Sequence, residues 1–292
     1  MRIKRVFVAG AGLMGHGIAQ VHAAAGMDVV LYEPELARAE AGRERIAGNL
    51  ERAVVKGRLS DAERDATLGR ISLAHESAGV RDADLVVEAV FEDVDVKTAL
   101  WHELDRLAPP AAIFASNTSS ISIGRLAEAV APARRKLFVG MHFFSPVPIM
   151  PLIELIRGRD TADEAEEAIR ELARRLGKQV IVSADSPGFI VNRILMPFLG
   201  EAMRAYEDGL GTAEDIDTGA RIGLNHPMGP LELADFIGLD VCLGVMRVLD
   251  EGLEGDQFAP PQVLVDLVAA GHIGQKTGRG FHTYPRAERP GR

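Results

Sequence analysis

Three glycines near the N-terminus constrain the fold of this chain more than any other feature. They follow the pattern Gly10-x-Gly12-x-x-Gly15, between an apolar run at residues 6–8 and a segment of helical periodicity at residues 18–22. This order predicts a strand, a tight turn and a helix. Gly10 permits the turn, Gly12 lets a ligand approach the backbone, and Gly15 lets the helix pack close to the strand. Because the N–H groups at the start of such a helix attract a pyrophosphate, we expect a dinucleotide-binding fold.

The residue that follows the next apolar run indicates which dinucleotide is bound. Residues 29–32 form that run, and Glu33 comes directly after it. A carboxylate at this position accepts hydrogen bonds from a ribose diol and repels a 2′-phosphate, which favours NAD over NADP. An ordinary strand–turn–helix without a nucleotide is the alternative. We favour the nucleotide because the strand, the helix and the acidic residue are all in place.

Length, charge and cysteine content narrow the class of protein. A chain of 292 residues can form two domains, each with its own core. Its single cysteine, Cys242, cannot form an intrachain disulfide, so we expect a cytoplasmic protein. No apolar run is long enough for a membrane span, and the run at residues 6–11 is too short and glycine-interrupted for a signal peptide. The net charge of −9 argues against nucleic acid as the main partner, so an anionic substrate would need a local basic patch.

Strand and helix patterns alternate over the first two thirds of the chain. Beyond the opening elements, the pattern predicts strands at 85–89, 112–116, 137–144, 152–156 and 179–183, and helices at 36–57, 94–107, 122–130 and 161–176. From Ser186 onward only helical periodicity remains, at 188–208, 213–222, 230–250 with a break near Gly238, and 261–270. We therefore expect a Rossmann-type, doubly wound, mostly parallel sheet at residues 1–184 and an all-α domain at residues 185–292.

Two of the predicted strands carry polar residues in apolar surroundings. Glu154 lies among aliphatic residues, and His142 lies in the preceding strand in a similar setting. Burying a lone carboxylate is costly unless it has a partner. If the strands bring the two together, the carboxylate would stabilise the imidazolium and orient the ring, giving a general acid and base. Taken singly, His142 is better explained as a core histidine and Glu154 as a solvent-facing glutamate. Their occurrence in one region of a nucleotide-binding sheet favours the pair.

Other polar residues lie where ligands of a parallel sheet bind. Asn117 and Ser119 follow a predicted strand, but Ser119 has no neighbouring base, so a hydrogen-bonding role is favoured over a nucleophilic one. Both could also be turn or helix-capping residues, and Asn192 could be an ordinary polar position in a first helical turn. Residues 274–281 superficially suggest a phosphate-binding loop. We reject it because Gln275 stands where a glycine must precede the lysine and no strand leads in.

Taken together, a series of motifs in fixed order resembles the L-3-hydroxyacyl-CoA dehydrogenase family, over nearly the whole chain. The motifs are Ser116-Asn117-Thr118-Ser119-Ser120, His142-Phe143-Phe144-Ser145-Pro146-Val147-Pro148, Glu154, Pro187-Gly188-Phe189-Ile190-Val191-Asn192-Arg193, His226-Pro227-Met228-Gly229-Pro230 and Lys276-Thr277-Gly278-Arg279-Gly280-Phe281. The resemblance implies reversible NAD-dependent oxidation of an (S)-3-hydroxyacyl-CoA, and we expect a short-chain substrate, 3-hydroxybutyryl-CoA. Ser145 and Glu33 depart from the residues that close relatives often have, Asn and Asp.

The resemblance also implies a role for each matching position. His142 would be the catalytic acid and base with Glu154 as its partner, and Ser119 and Asn192 would hydrogen-bond the reacting oxygens of the substrate. Lys56 would meet coenzyme A. The implied nucleotide contacts are Gly10, Ala11, Gly12, Leu13, Met14, Gly15, Glu33, Glu92, Lys97, Asn117 and Lys276. No metal is implied, and we expect a homodimer formed through the helical domain.

Three alternatives remain open at this point. The first is a related NAD(P)-dependent oxidoreductase that acts on a different hydroxyacyl-CoA, such as 3-hydroxyadipyl-CoA. The second is a non-catalytic nucleotide-binding protein on the same scaffold, which would have no need of His142 and Glu154. The third is a redox-sensing regulator, disfavoured by the acidic charge and by the lack of a nucleic-acid-binding motif.

Overall fold

The computed structural model describes residues 2–285, and the chain divides into two compact units. The first unit ends at Ser186 and the second begins at Pro187. The boundary expected from the sequence lay between residues 184 and 185. Each unit is described by itself below.

The first unit is built on an eight-stranded sheet, counted over the described residues, with the order β3-β2-β1-β4-β5-β6-β7-β8. Neighbouring strands are parallel except β6 and β7, which are antiparallel. This confirms the expected Rossmann-type, mostly parallel sheet. The strands are β1 Arg5–Ala9, β2 Asp28–Tyr32, β3 Ile71–Ala74, β4 Leu85–Glu88, β5 Ile113–Ser116, β6 Phe138–Phe143, β7 Leu152–Arg157 and β8 Gln179–Ala184.

Helices connect the strands of this sheet. They are α1 Gly15–Ala24, α2 Leu36–Val55, α3 Asp61–Gly69, α4 Val94–Leu107, α5 Ile123–Ala127, α6 Pro132–Arg135 and α7 Asp163–Arg175. Strands covered on both faces consist of continuous apolar runs, and residues 85–87 of β4 accordingly have no exposed surface. Trp101 of α4 stacks on Phe114 of β5 at 4.9 Å between ring centroids, which fixes that helix against the sheet.

Three elements were not anticipated: α3, β3 and the four-residue helix α6. Ser60 caps α3, since its hydroxyl accepts the Glu63 N–H while the Glu63 side chain accepts the Ser60 N–H. This capping box is readable in the sequence as Ser60-x-x-Glu63. The edge strand β3 has only four residues, and of these Ile71 alone is fully buried, which leaves little periodic signal.

The second unit is helical throughout its described part, apart from isolated bridges near Gly274 and Arg279. Its helices are α8 Val191–Glu207, α9 Ala213–Thr218, α10 Pro230–Ile237, α11 Leu239–Gly252 and α12 Gln262–Ala269. A π-helical turn follows α9, and α10 and α11 meet at Gly238, where the sequence predicted a break. Over residues 2–285, no helix combines the length and the apolar character needed to cross a bilayer.

Two buried carboxylates fasten the segment that follows α12. Asp235 of α10 accepts the N–H groups of Phe281 and His282, and burial raises its pKa above the ordinary value. Asp217 of α9 accepts the Leu231 N–H at 2.8 Å and lies 2.7 Å from Nε2 of His282. The last described segment is therefore fixed to α9 and α10 by hydrogen bonds that satisfy both buried carboxylates.

Candidate active site

The glycine turn leads from β1 into α1 and leaves its outer side open. Gly10 has a φ of +101°, and a Cβ there would lie 2.5 Å from the Ala89 carbonyl oxygen. A Cβ on Gly15 would lie 1.7 Å from the Gly10 carbonyl oxygen, whereas a Cβ on Gly12 would meet nothing within 4 Å. No side chain in the described residues caps α1, so the start of the helix has no side-chain acceptor beside this open space. The turn therefore fits a pyrophosphate, as the glycine pattern predicted.

The acidic residue after β2 lies against the same turn. Oε1 of Glu33 accepts the Ala11 N–H at 2.7 Å. The carboxylate is thereby fixed at the carboxyl end of β2, beside the loop that would hold the pyrophosphate. The residues present thus fit an NAD molecule whose adenosine ribose reaches Glu33.

His142 and Glu154 lie directly opposite each other in the antiparallel pairing of β6 and β7. Their side chains point to the same face, and Nδ1 of His142 lies 3.0 Å from Oε2 of Glu154. Because a carboxylate only accepts hydrogen bonds, Nδ1 carries the proton of this contact. His142 is 7% exposed and Glu154 is 0% exposed. The structure therefore brings together the two residues that the sequence linked only conditionally.

The loop after β5 carries Asn117 and Ser119 at the carboxyl edge of the sheet. Oδ1 of Asn117 accepts the Phe143 N–H at 2.9 Å, which ties this loop to the end of the strand that bears His142. The Ser119 N–H donates to Oε1 of Glu92 at 2.9 Å. Ser119 follows β5, and His142 lies near the end of β6. Since these strands are parallel neighbours, both residues lie at the same edge of the sheet.

Lys97 is buried between two carboxylates. Its ammonium lies 2.5 Å from Glu88 and 3.0 Å from Glu92, and the side chain is 1% exposed. Burial raises the pKa of Glu88, whereas Lys97 and Thr118 outweigh burial at Glu92 and hold the pKa of that carboxyl below its ordinary value. Sequence reasoning missed Glu88, whose one signal is a carboxylate at the end of an apolar strand.

The remaining predicted site residues lie elsewhere. Lys56 is exposed and lies just after α2, which ends at Val55. The sequence predicted that the helix would extend to residue 57 and include Lys56. Asn192 lies in the first turn of α8, in the second unit. Lys276, in the same unit, lies 3.0 Å from a carboxylate oxygen of Asp240.

Comparison with known proteins agrees with this geometry. Residues 5–186 match the family model for the 3-hydroxyacyl-CoA dehydrogenase NAD binding domain, and residues 188–284 match the model for the C-terminal domain of the same family. A 3-hydroxybutyryl-CoA dehydrogenase of Bradyrhizobium diazoefficiens is 49% identical over 286 residues, which cover 98% of this chain and 97% of the relative.

Solved structures show the same likeness. The crystal structure of Mycobacterium tuberculosis FadB2 superposes with a TM-score of 0.95 at 44% identity, covering 98% of this chain and 100% of that one. (S)-3-hydroxybutyryl-CoA dehydrogenase PaaH1 of Ralstonia eutropha superposes with a TM-score of 0.94 at 42% identity, covering 97% and 100%. With both family domains matched in order along nearly the whole chain, this protein belongs to the 3-hydroxyacyl-CoA dehydrogenase family and has its NAD-binding domain at the N-terminal end.

Proposed function

We propose that this protein catalyses the reversible oxidation of an (S)-3-hydroxyacyl-CoA to the 3-ketoacyl-CoA, with 3-hydroxybutyryl-CoA as its substrate. The observation that carries the proposal is the buried contact of 3.0 Å between His142 and Glu154, in the same sheet as the glycine turn. The relatives from Bradyrhizobium diazoefficiens and Ralstonia eutropha are both named 3-hydroxybutyryl-CoA dehydrogenases, which supports a short acyl chain for the substrate.

The acid–base step follows from the orientation of the imidazole. NAD, when bound, supplies the acceptor for the hydride that leaves C3 of the substrate. Because Nδ1 of His142 donates to Glu154, we assign proton exchange with the substrate hydroxyl to Nε2. As the proton arrives, the imidazole becomes a cation, and the carboxylate already fixed beside it stabilises that charge. In the reducing direction the same nitrogen returns the proton.

The other predicted residues bind and orient the two ligands in this proposal. Ser119 and Asn192 hydrogen-bond the reacting oxygens of the substrate, and Lys56 meets coenzyme A. The glycine turn and Glu33 hold NAD, together with Glu92, Lys97, Asn117 and Lys276. The fixed position of Glu33 at the turn supports its part in this set.

The direct test is the loss of NADH absorbance on addition of acetoacetyl-CoA. We expect turnover with NADH, much weaker turnover with NADPH, and none with free acetoacetate, which lacks the coenzyme A group. Substrates of increasing acyl length, and 3-oxoadipyl-CoA, separate the proposed short-chain enzyme from a relative with another substrate. Absence of turnover with every acyl-CoA would contradict the proposal.

We further propose a homodimer formed through the second unit and a cytoplasmic location. The dimer is supported by exposed large apolar side chains on that unit, among them Ile194, Leu210, Ile222 and Leu224. The location is supported by the single cysteine, Cys242, which is buried and cannot form an intrachain disulfide.

A further inference from the structure

Three charged residues of the first unit form a cluster that we call the charge triad: Glu88 and Lys97, which are buried, and Glu92, which is partly exposed. Glu88 ends β4, Lys97 lies in the first turn of α4, and Glu92 lies between them in the chain. The Lys97 ammonium bridges Oε1 of Glu88 and Oε2 of Glu92. Two carboxylates thus share one buried cation, and the Glu92 side chain keeps 37% of its surface exposed.

Glu88 anchors one end of the triad to the sheet. Besides Lys97, it accepts the Ser116 hydroxyl at 2.6 Å and the Val90 N–H at 3.0 Å. Ser116 is the last residue of β5, so this carboxylate joins the carboxyl ends of two neighbouring strands. With three donors directed at it, Glu88 has one well-defined position.

Glu92 forms the other end and holds the loop after β5. Its Oε1 accepts the Thr118 hydroxyl at 2.5 Å, the Ser119 N–H at 2.9 Å and the Ser120 N–H at 3.2 Å. Its Oε2 is held by Lys97. The position of this loop therefore depends on the position of Glu92, and that in turn depends on the ammonium.

We propose that Glu88 is a positioning residue, which fixes Lys97 and, through Lys97 and Glu92, sets the place of Ser119. This rests on the proposed function, in which Ser119 hydrogen-bonds the reacting oxygen of the substrate. Fold stability is a poor reason for the buried Glu88–Lys97 pair, since replacing buried ion pairs with apolar residues of similar volume is often neutral or stabilising. Orienting a loop, in contrast, requires the charges, because they fix the positions of the hydrogen-bonding groups that hold the loop.

The test combines amide hydrogen exchange with kinetics in Glu88→Gln, which keeps the shape of the side chain and removes its charge. A second variant, Glu88→Asp, keeps the charge but withdraws it from Lys97. The matched control is Asp105→Asn, because Asp105 forms a partly buried contact of 2.5 Å with Arg134 in the same unit, away from the triad. Exchange is followed in a peptide that contains the amides of Ser119 and Ser120, and in one that contains the amide of Ala11.

For both Glu88 variants we expect exchange at Ser119 and Ser120 to become about tenfold faster, because a charge-assisted hydrogen bond loses its fixed acceptor. Exchange at Ala11, which is held by Glu33, stays unchanged. We expect kcat with acetoacetyl-CoA to fall about tenfold and KM to change less than about threefold, since the lost interaction acts on the reacting centre. In Asp105→Asn the exchange at Ser119 and the value of kcat stay as in the wild type.

A double variant checks that Glu88 acts through the ammonium. In a Lys97→Met background, Glu88→Gln should produce little further change in kcat or in exchange, because the link is already broken. Unchanged exchange and kcat in both Glu88 single variants would overturn the proposal. So would the failure of both to fold, since Glu88 would then be a core residue. If exchange responds as expected but the wild-type protein lacks acyl-CoA activity, the loop is positioned as described and the proposed function fails instead.

Discussion

At the scale of residues, the proposed chemistry depends on the imidazole of His142, which Glu154 holds in one orientation. Glu154 has no exposed surface and lies across the strand pair from His142. A buried carboxylate of this kind needs a partner, and the hydrogen bond from Nδ1 supplies one. The same contact directs the other ring nitrogen to the proposed proton transfer.

Replacing this imidazole should lower the rate of catalysis and leave cofactor binding unchanged. We expect His142→Gln to lower kcat by a factor of about 10² to 10⁴, the range typical for loss of a general acid and base. The affinity for NADH, measured by fluorescence titration, should change little because the glycine turn is untouched. A variant with near-normal turnover would refute the assignment of His142.

Glu33 offers a complementary prediction. Glu33→Ala should weaken NAD binding about tenfold, because it removes a ribose acceptor and also frees the Ala11 N–H of the turn. At saturating NAD, kcat should be close to that of the wild type. Glu35→Ala is the matched control, since Glu35 is an exposed glutamate two positions further on that pairs with Arg38. Equal NAD affinities in the two variants would count against the ribose contact.

Part of the geometry of the candidate site could be predicted from single residues, and the part that could not has a physical reason. His142 and Glu154 stood out because polar residues in apolar strands need partners. Glu88 did not stand out, because a carboxylate at the end of a strand is usually solvated, and sequence alone does not say that the Lys97 ammonium is buried beside it. Burial of a long cationic side chain depends on tertiary packing, which periodicity does not report.

At the scale of elements, α1 packs on β6 through a histidine that the proposed chemistry does not use. His22 is fully buried, its Nδ1 lies 2.7 Å from the Ile18 carbonyl oxygen, and its ring meets Phe143 edge-on at 6.1 Å. Burial lowers the pKa of His22 from 6.5 to about 4, against the opposing effect of the Ile18 hydrogen bond. This helix–sheet contact therefore requires a neutral imidazole.

The protonation of His22 makes stability depend on pH. Between pH 6.5 and about 4 the unfolded chain binds a proton at this position and the folded chain does not, so the free energy of unfolding falls as the pH drops. The loss is on the order of 3 kcal/mol across the window. In His22→Leu this part of the loss should disappear, as measured by urea denaturation at several pH values. His75→Gln, at an exposed histidine, should keep the wild-type dependence; an identical pH dependence in His22→Leu and the wild type would contradict the prediction.

The elements themselves were predictable where the apolar pattern is long. The strands of continuous burial and the long helix α2 were expected close to their observed bounds, since core packing and local periodicity agree there. The edge strand β3 and helix α3 were not expected. In β3 only one residue is buried. The sequence signal for α3 is a capping box and not a periodic pattern of apolar residues.

At the scale of the whole molecule, sequence predicted two domains and the family, but assembly stays a proposal. Each unit has its own core, and the second keeps large apolar side chains exposed. The net charge of −9 offers no attraction between identical chains, so an interface has to form by burying apolar surface.

The oligomeric state can be measured directly. Light scattering should give twice the mass of one chain, and a variant with Ile222→Glu and Leu224→Glu should shift the protein toward one chain mass, because charges are costly inside an apolar interface. Val55→Glu, at an exposed apolar residue of the first unit, should leave the mass unchanged. A single chain mass for the wild type would overturn the proposed dimer.

The antiparallel pairing of β6 with β7 has a consequence for refolding. Side chains alternate between the two faces of a strand, so a slip of one residue would place Ile153 or Leu155 opposite His142 and turn Glu154 to the other face. A chain that recovered its helices but paired β6 and β7 with this shifted register would have a near-native helix signal and no activity. Regained turnover after dilution from denaturant would accordingly report the correct alignment of these two strands, independently of overall helix content.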